Sequence, residues 1–334
     1  MNGGVDMKKI NWGILGTAGI AKGEVIPGML LAESAHPYAI AGRKPEKVAE
    51  FKEMFNFEKA YIGYDALLED EKVEAVYIPL SNDLHKEWII KAARKKKHIL
   101  CEKPLVASAE DLKEVFEVCR AEGVFLMEAF AYLHSPIIND LAQQLKEGVI
   151  GKVRLIETTF FIPKQEEDNI RSRKETLGGS QYDLGCYNIS LILKLLGEMP
   201  QKISAMSRFA DSGIDLYTHA QLLFSDGVTA TSSCGMILEN TLADRVDRCF
   251  IQGETGHIEV FVPYNEKGEL SYRIVKSDET MDFSMDVPNN YMLEIEQFGN
   301  VVKKIETPLV SEQFSCSVAK IQDEILTQIG YWQE

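Results

Sequence analysis

The chain has 334 residues, of which 45% are hydrophobic and 26% charged, and carries a formal net charge of −15. That is enough chain for two ordinary domains with their own cores, and the excess of acid argues against nonspecific binding to nucleic acid or anionic membrane. No stretch approaches roughly 18 uninterrupted apolar residues and the start, MNGGVDMKK, lacks an apolar core, so neither a membrane span nor a secretory signal is expected and the chain reads as cytoplasmic.

The first 130 residues alternate between two periods. INWGILG (10–16) is a short apolar run ending in glycine, followed by IAKGEVIPGMLLAE, a helix that Pro27 is placed to kink. YAIAGR (38–43) reads as a second strand, and PEKVAEFKEMF (45–55) as a helix opened by Pro45. KAYIGY, VEAVYIPL (73–80), HILCEK (98–103) and VFLMEA (124–129) read as further strands, separated by helical segments 83–96 and 108–122. Strands alternating with helices imply a parallel sheet with right-handed crossovers. The basic run RKKKH (94–98) reads as a solvated helix end.

From about residue 150 the rhythm changes. VRLIETTFFI (153–162), KISAMSRFA, THAQLLFSDGVTATSSCGMI, RCFIQGETGHIEVFV and ELSYRIVK are strand-like, with SDGV (225–228) as a hairpin signal. One helix over about 180–196 interrupts them, and two more, over about 290–303 and 312–330, close the chain. The expected fold class is α/β: an N-terminal doubly wound parallel sheet over 1–130, then an α+β domain with a mainly antiparallel sheet over 131–334. The six cysteines are scattered without a C-x-x-C pair, which suits reduced thiols, and the six histidines show no ligand spacing, so no metal site is expected.

The first strand runs into GTAGIA (16–21), close to the dinucleotide fingerprint G-x-G-x-x-G/A at a strand-to-helix turn. Gly16 and Ala21 fill its outer positions. Ala18 stands where the middle glycine normally gives the pyrophosphate room, with Gly19 beside it. Gly16, Thr17, Ala18, Gly19 and Ile20 are therefore expected to bind cofactor phosphate at the helix N-terminus. After the second strand an NAD site would carry an acid for the ribose hydroxyl, but the sequence is AGRKPEK, with no acid before Glu46. Arg43 and Lys44 there suit a 2′-phosphate, which favours NADP(H) over NAD(H); the bland alternative is a solvated loop.

CEKPL (101–105) ends the fifth strand and puts Glu102 and Lys103 at the edge where open α/β sheets bind ligands, although most lysines in turns are merely surface residues. Asn82 and His85 follow the fourth strand and face the cofactor edge, with loop packing as the other reading for His85. The run YDALLEDEKVEAVYIPLSNDLHKEWIIKAARKKKHILCEKPL, followed in order by EAFAYLHSP (128–136), NIR (169–171), LGGSQYDLGCY (177–187) and YMLEIEQF (291–298), resembles the glucose–fructose oxidoreductase, inositol dehydrogenase and rhizopine catabolism family over nearly the whole chain. The resemblance implies a Rossmann domain and an open-faced sheet domain through which the chain forms a homodimer or larger homo-oligomer. It also implies Lys103 as the active-site lysine. Where many members carry histidine this chain has Tyr187, which resembles the D-x-G-x-Y branch of dihydrodiol dehydrogenases, xylose dehydrogenases and anhydrofructose reductases, usually NADP-linked.

Asp183 and Tyr187 are four apart and share a helix face. A tyrosine, with a pKa near 10, needs a cation such as Lys103 close by to act as a base near neutrality. Asp183 would hold Lys103 or a substrate hydroxyl, and Tyr187 would take the hydroxyl proton. Without the resemblance Tyr187 reads equally as a packed aromatic. By analogy Tyr132 and Arg171 border the substrate pocket. Ser180, Gln181 and Tyr182 depart from the usual GGGALxD, and Leu133 stands where many relatives have arginine. The expected activity is hydride transfer between NADP(H) and a secondary alcohol or ketone of a sugar, cyclic polyol or related diol. A nucleotide-sensing regulator and an imine or other carbonyl reductase are the alternatives on the same fold.

Overall fold

The computed structural model describes residues 8–239, 245–261 and 264–333, which divide into two compact units. Residues 1–7 and Val262, both part of the sequence reading, lie outside the described residues. The strands in chain order are β1 (Ile10–Leu15), β2 (Ala35–Gly42), β3 (Lys59–Ile62), β4 (Ala75–Ile78), β5 (His98–Glu102), β6 (Leu126–Ala129), β7 (Val153–Pro163), β8 (Lys202–Phe209), β9 (Asp215–Leu223), β10 (Thr229–Leu238), β11 (Val246–Gly253), β12 (Gly256–Val260), β13 (Gly268–Lys276) and β14 (Thr280–Val287). The α-helices are α1 (Ile26–Leu31), α2 (Pro45–Phe55), α3 (Tyr64–Leu68), α4 (His85–Arg94), α5 (Ala109–Glu122), α6 (Pro136–Lys146), α7 (Cys186–Leu196), α8 (Asn290–Val302) and α9 (Glu312–Gln328).

In the first unit six strands pair in the order β3-β2-β1-β4-β5-β6, and every pairing is parallel. This is the doubly wound order, with its ligand-binding crevice where the order reverses between β1 and β4. β4 is buried along its whole length, as its uninterrupted AVYI requires. The chain is helical from residue 19, but Ala21–Val25 forms a π turn before α1, with the Ile26 N–H bonded to the Ala21 carbonyl. Pro27 has no N–H, and its ring would strike the carbonyl four residues back in a regular α-helix. The wider turn gives the ring room, so the expected kink takes this form. Lys97 also differs from expectation: it is only 6% exposed and donates to the Asp70 and Val73 carbonyls at 2.7 and 2.8 Å, so RKKKH is not wholly solvated.

The first unit also contains residues 289–312, which the sequence division at 130 placed in the second. That division followed the change of rhythm along the chain, whereas α8 takes its place by its apolar face. Phe298 packs against Trp12 and Phe125, with ring centroids 4.7 and 5.2 Å apart. Glu296 accepts the backbone N–H groups of Glu33 and Ser34 just before β2. At the α1–α8 crossing, a Cβ on Gly28 would lie 2.8 Å from Tyr291 Cβ and 3.0 Å from the Met292 nitrogen.

The second unit is an eight-stranded sheet in the order β14-β13-β12-β11-β7-β10-β9-β8. Its pairings are antiparallel except β7 with β10, which run parallel. β9 and β10 are joined at SDGV by a turn with successive positive φ at Asp226 (54°) and Gly227 (76°), as the hairpin signal requires. α7 packs on β7 and β10, and Tyr272 Oη ties the sheet to α6 through Asp140 at 2.5 Å. α3, α6 and β14 were not anticipated from the sequence.

Gly28→Ala should destabilise the protein by about 1–3 kcal/mol, because the added methyl overpacks a backbone-to-helix contact. Urea denaturation reads the change directly. An unaltered midpoint would show that α8 yields at the crossing.

Candidate active site

The turn after β1 opens with Gly16 at φ +140°, a conformation that strains any side-chain-bearing residue, and its N–H bonds to the Ala41 carbonyl at 2.9 Å. A Cβ on Gly19 would meet nothing within 4 Å, so the turn is open at Gly19. Helix starts at this point, and its first N–H groups and positive dipole end suit a phosphate. A Cβ on Gly42 would come 3.2 Å from Thr17 Cγ2, so the missing side chain lets the turn settle against the end of β2. Arg43 and Lys44 follow immediately, both exposed. Burial pushes the Tyr64 phenol up, and the Arg43 guanidinium beside it works against that rise. Gly16–Ile20, Arg43 and Lys44 thus gather at the carboxyl ends of β1 and β2.

Beyond β4, Asn82 is half-buried and opens a short 3-10 turn. His85 is fully buried, with Nδ1 3.0 Å from the Pro104 carbonyl and Nε2 3.0 Å from the Leu80 carbonyl. Burial lowers its pKa, and the two carbonyls oppose that shift. Both ring nitrogens lie within hydrogen-bond distance of a backbone carbonyl, so whichever carries the proton donates to the loop after β4 or to the loop after β5. This geometry supports the loop-packing reading of His85. Glu102 accepts from Tyr77 Oη at 2.5 Å, and Lys103 follows it, half-buried, before a cis bond to Pro104. Glu128 accepts the Leu105 N–H at 3.0 Å. Glu294 of α8 is completely buried with neither carboxyl oxygen hydrogen-bonded among the described residues. Burial, reinforced by the Glu102 carboxylate, pushes it well above the carboxylate range, which favours its neutral form.

The second unit builds its part of the site on Gly178-Gly179. A Cβ on Gly178 would lie 2.5 Å from the Arg171 carbonyl, and Gly179, at φ +106°, would drive one into Asp215 Oδ1. Asp215 is wholly buried, and its Oδ2 accepts from Ser180 Oγ at 2.6 Å, the Gln181 N–H at 2.7 Å and Thr218 Oγ1 at 2.7 Å. Burial pushes this carboxyl up to about 6, against the pull of those donors. Ser180, which departs from the family pattern, is thus one of the donors that hold the segment. Gln181–Gly185 then forms a π turn leading into α7. Gly185 has no side chain because that of Gln181 fills the space, 2.6 Å from where a Cβ would stand.

Asp183 lies in this widened turn and pairs with Arg171 Nε at 2.6 Å, so the structure joins two residues that the sequence reading had placed separately. Asn169 Oδ1 holds the Arg171 N–H at 3.0 Å. Tyr187, half-buried, sits among the rings of Tyr132, Phe160 and Tyr264, with centroids 5.6, 5.4 and 5.1 Å away. Tyr132 is only 1% exposed, and its hydroxyl meets Ser190 Oγ at 2.7 Å and the Tyr187 carbonyl at 3.2 Å. It backs the helix that carries Tyr187. Asp215, Tyr264, Asn265 and Glu294 were not singled out in the sequence because each is placed by tertiary contact; of the four only Glu294 lies in a quoted segment, YMLEIEQF, where nothing local marks it as buried. Among the described residues no group of three or more His, Cys, Asp or Glu is placed to hold a metal ion.

Two family models match the chain: "Oxidoreductase family, NAD-binding Rossmann fold" over residues 10–130 and "GFO/IDH/MocA C-terminal domain" over 138–259. The chain is 34% identical over 319 residues to a D-xylose 1-dehydrogenase (NADP(+)) of Haloferax volcanii, covering 94% of this chain and 95% of that protein. It is 28% identical over 330 residues to the trans-1,2-dihydrobenzene-1,2-diol dehydrogenase of Xenopus laevis, covering 96% and 98%. Among solved structures, the 3-ketoreductase KijD10 of Actinomadura kijaniata in complex with NADP and TDP-benzene superposes with a TM-score of 0.89 at 30% identity, covering 96% of this chain and 98% of that one.

The folded state binds the Asp215 proton more tightly than an unfolded aspartate does, about 6 against roughly 4. This contribution to stability is fully present below about pH 4 and is lost as pH rises through about 6, a difference on the order of 2–3 kcal/mol. Asp215→Asn abolishes the titration. Urea denaturation of both proteins from pH 4 to pH 7 should show the wild type losing ground to the variant across that interval. A constant difference would mean that the carboxyl titrates as an ordinary aspartate.

Proposed function

This chain belongs to the glucose–fructose oxidoreductase, inositol dehydrogenase and rhizopine catabolism family and is an oxidoreductase, and on that footing we propose that it transfers hydride between NADP(H) and a secondary alcohol or ketone of a sugar, cyclic polyol or related diol. The observation that carries this reading is Tyr187: a half-buried phenol, held by a ring cluster, one turn after an Asp183 that is itself held by Arg171.

The residues at the sheet edge fit the cofactor. The open turn at Gly19 and the helix start suit the pyrophosphate, and Arg43 and Lys44 suit a 2′-phosphate. Asn82, Glu102 and Lys103, at the ends of β4 and β5, would hold the nicotinamide end. When bound, the nicotinamide supplies or accepts the hydride. Lys103 is the active-site lysine that the family resemblance implies, and Tyr187 Oη takes the substrate hydroxyl proton in oxidation and returns it in reduction. Asp183, fixed by Arg171, orients a neighbouring hydroxyl. The names of the relatives support the substrate class: xylose, a ring diol and, for a further relative 32% identical over 322 residues, a dTDP-linked didehydro sugar. In each, the carbon whose oxidation state changes carries oxygen and has an oxygen-bearing neighbour. Homo-oligomerisation through the second unit's sheet and a cytoplasmic location complete the proposal.

Tyr187→Phe should bind NADPH like the wild type, by fluorescence titration, while kcat falls by roughly 10²–10⁴-fold in assays at 340 nm against aldoses, inositols, vicinal diols and their ketones. Undiminished turnover would remove the tyrosine from proton transfer. Arg43→Ala should weaken NADPH at least about tenfold while barely changing NADH, since it removes a charge-assisted contact that only the 2′-phosphate makes. Equal losses would remove that assignment.

A further inference from the structure

Tyr264 and Asn265 lie between β12 and β13 and reach two successive residues of α7. Tyr264 Oη donates to Asn188 Oδ1 at 3.0 Å, and Asn265 Nδ2 donates to Tyr187 Oη at 3.3 Å. The segment is fixed from behind. Asp247 accepts the Tyr264 N–H at 2.8 Å, and Arg245 donates to the Tyr264 carbonyl at 2.6 Å while paired with the same Asp247 carboxylate. Tyr264 is only 5% exposed and packs its ring on Tyr132, Phe160 and Tyr187. Asn265 adopts φ +62°, a left-handed conformation that asparagine enters more readily than most residues. The amide is therefore presented to Tyr187 by a braced, largely buried support.

We propose that Asn265 is a positioning residue for the reaction, donating a hydrogen bond to the Tyr187 phenolic oxygen so that the phenol proton points to the substrate and the phenolate is stabilised when that proton leaves. The proposal rests on Tyr187 being the proton carrier. An oxygen that accepts a hydrogen bond from a fixed donor is restrained in rotamer, which limits the directions its own O–H can take. A donor to the charged form favours ionisation without adding a charge to the site. Of the titratable groups around Tyr187 in the second unit, Asp183 stands on its own segment and is ion-paired with Arg171. Arg245 and Asp247 are paired beside Phe160. Burial pushes the phenols of Tyr132 and Tyr264 well up and the Cys249 thiol up to about 12.

The test uses the full chain labelled with [13Cζ]tyrosine, the Tyr187 resonance being identified by its loss in Tyr187→Phe. Asn265→Gly removes the amide and tolerates the left-handed backbone. Asn265→Asp keeps the side-chain volume but replaces the donor with a charged acceptor, so the outcome does not hang on one variant folding. The Tyr187 ionisation midpoint should rise by about one pH unit in Asn265→Gly and further in Asn265→Asp. The limb of the kcat–pH profile assigned to the phenol should move with it, while substrate KM changes little. An unchanged midpoint in both variants overturns the proposal whatever the activity. A raised midpoint in a protein whose wild type turns over none of the alcohols or ketones supports the Asn265 contact and sinks the hydride-transfer reading instead.

Discussion

Three donors converge on one oxygen of a carboxylate that has no exposed surface: Ser180, the Gln181 backbone and Thr218, all on Asp215 Oδ2. A buried charge is tolerated only with such compensation. The rest of the second unit's site follows from meeting that demand. The chain must pass close enough to Asp215 that residue 179 cannot carry a side chain, and close enough to the Arg171 carbonyl that residue 178 cannot either. Placing negative charge at the start of a helical segment also satisfies its free N–H groups. The segment leaves this clamp as a π turn, and Asp183 and Tyr187 emerge from it with their partners, Arg171 and Asn265, already in place.

The first unit solves the same problem with different groups. Its strand ends are held by polar side chains that are buried and directed at backbone or at one another: His85 between two carbonyls, Glu128 on the Leu105 N–H, Tyr77 on Glu102. These groups fix Glu102 and Lys103 at the end of β5. Neutrality is part of the arrangement. Burial holds the His85 pKa down and the Glu294 carboxyl up, so both favour the uncharged form.

Much of this was legible in the sequence. The alternation of buried strands and helices gave the parallel sheet, and the glycine turn, RKP and EKP segments marked its ligand edge. SDGV located the hairpin because two successive positive φ angles restrict the residues that can stand there. Other signals were present but overlooked. TMDFSMDV alternates strictly, and β14 follows that pattern with half-buried Met281, Phe283 and Met285 opposite exposed Asp282, Ser284 and Asp286. Ile137, Ile138, Leu141 and Leu145 mark the apolar face of α6 at helical spacing. What no local pattern could show is long-range: α8 joining the first unit, Asp215 beneath Gly179, and Tyr264-Asn265 against α7. The structural contacts of His85 and Tyr132 were invisible for the same reason, since a polar side chain near a site announces its type but not which hydrogen bonds it makes.

The chain's charge poses a question that the structure helps to answer. A net charge of −15 repels an anionic dinucleotide at long range. At physiological salt, however, exposed charges are largely screened beyond about 8 Å, so binding is governed by the charges nearest the phosphates. Several lysines of the first unit are already engaged with acids: Lys8 with Glu74, Lys22 with Glu50, Lys86 with Asp111, Lys91 with Glu87, Lys95 with Glu69 and Lys96 with Glu122. Arg43 and Lys44 have no carboxylate in ion-pair contact among the described residues, and the first acid after them, Glu46, is exposed on α2. An acidic surface and a phosphate-binding edge are therefore compatible, because local cations without acidic partners, together with a helix start, outweigh a screened global field at the one place where an anion is to be held.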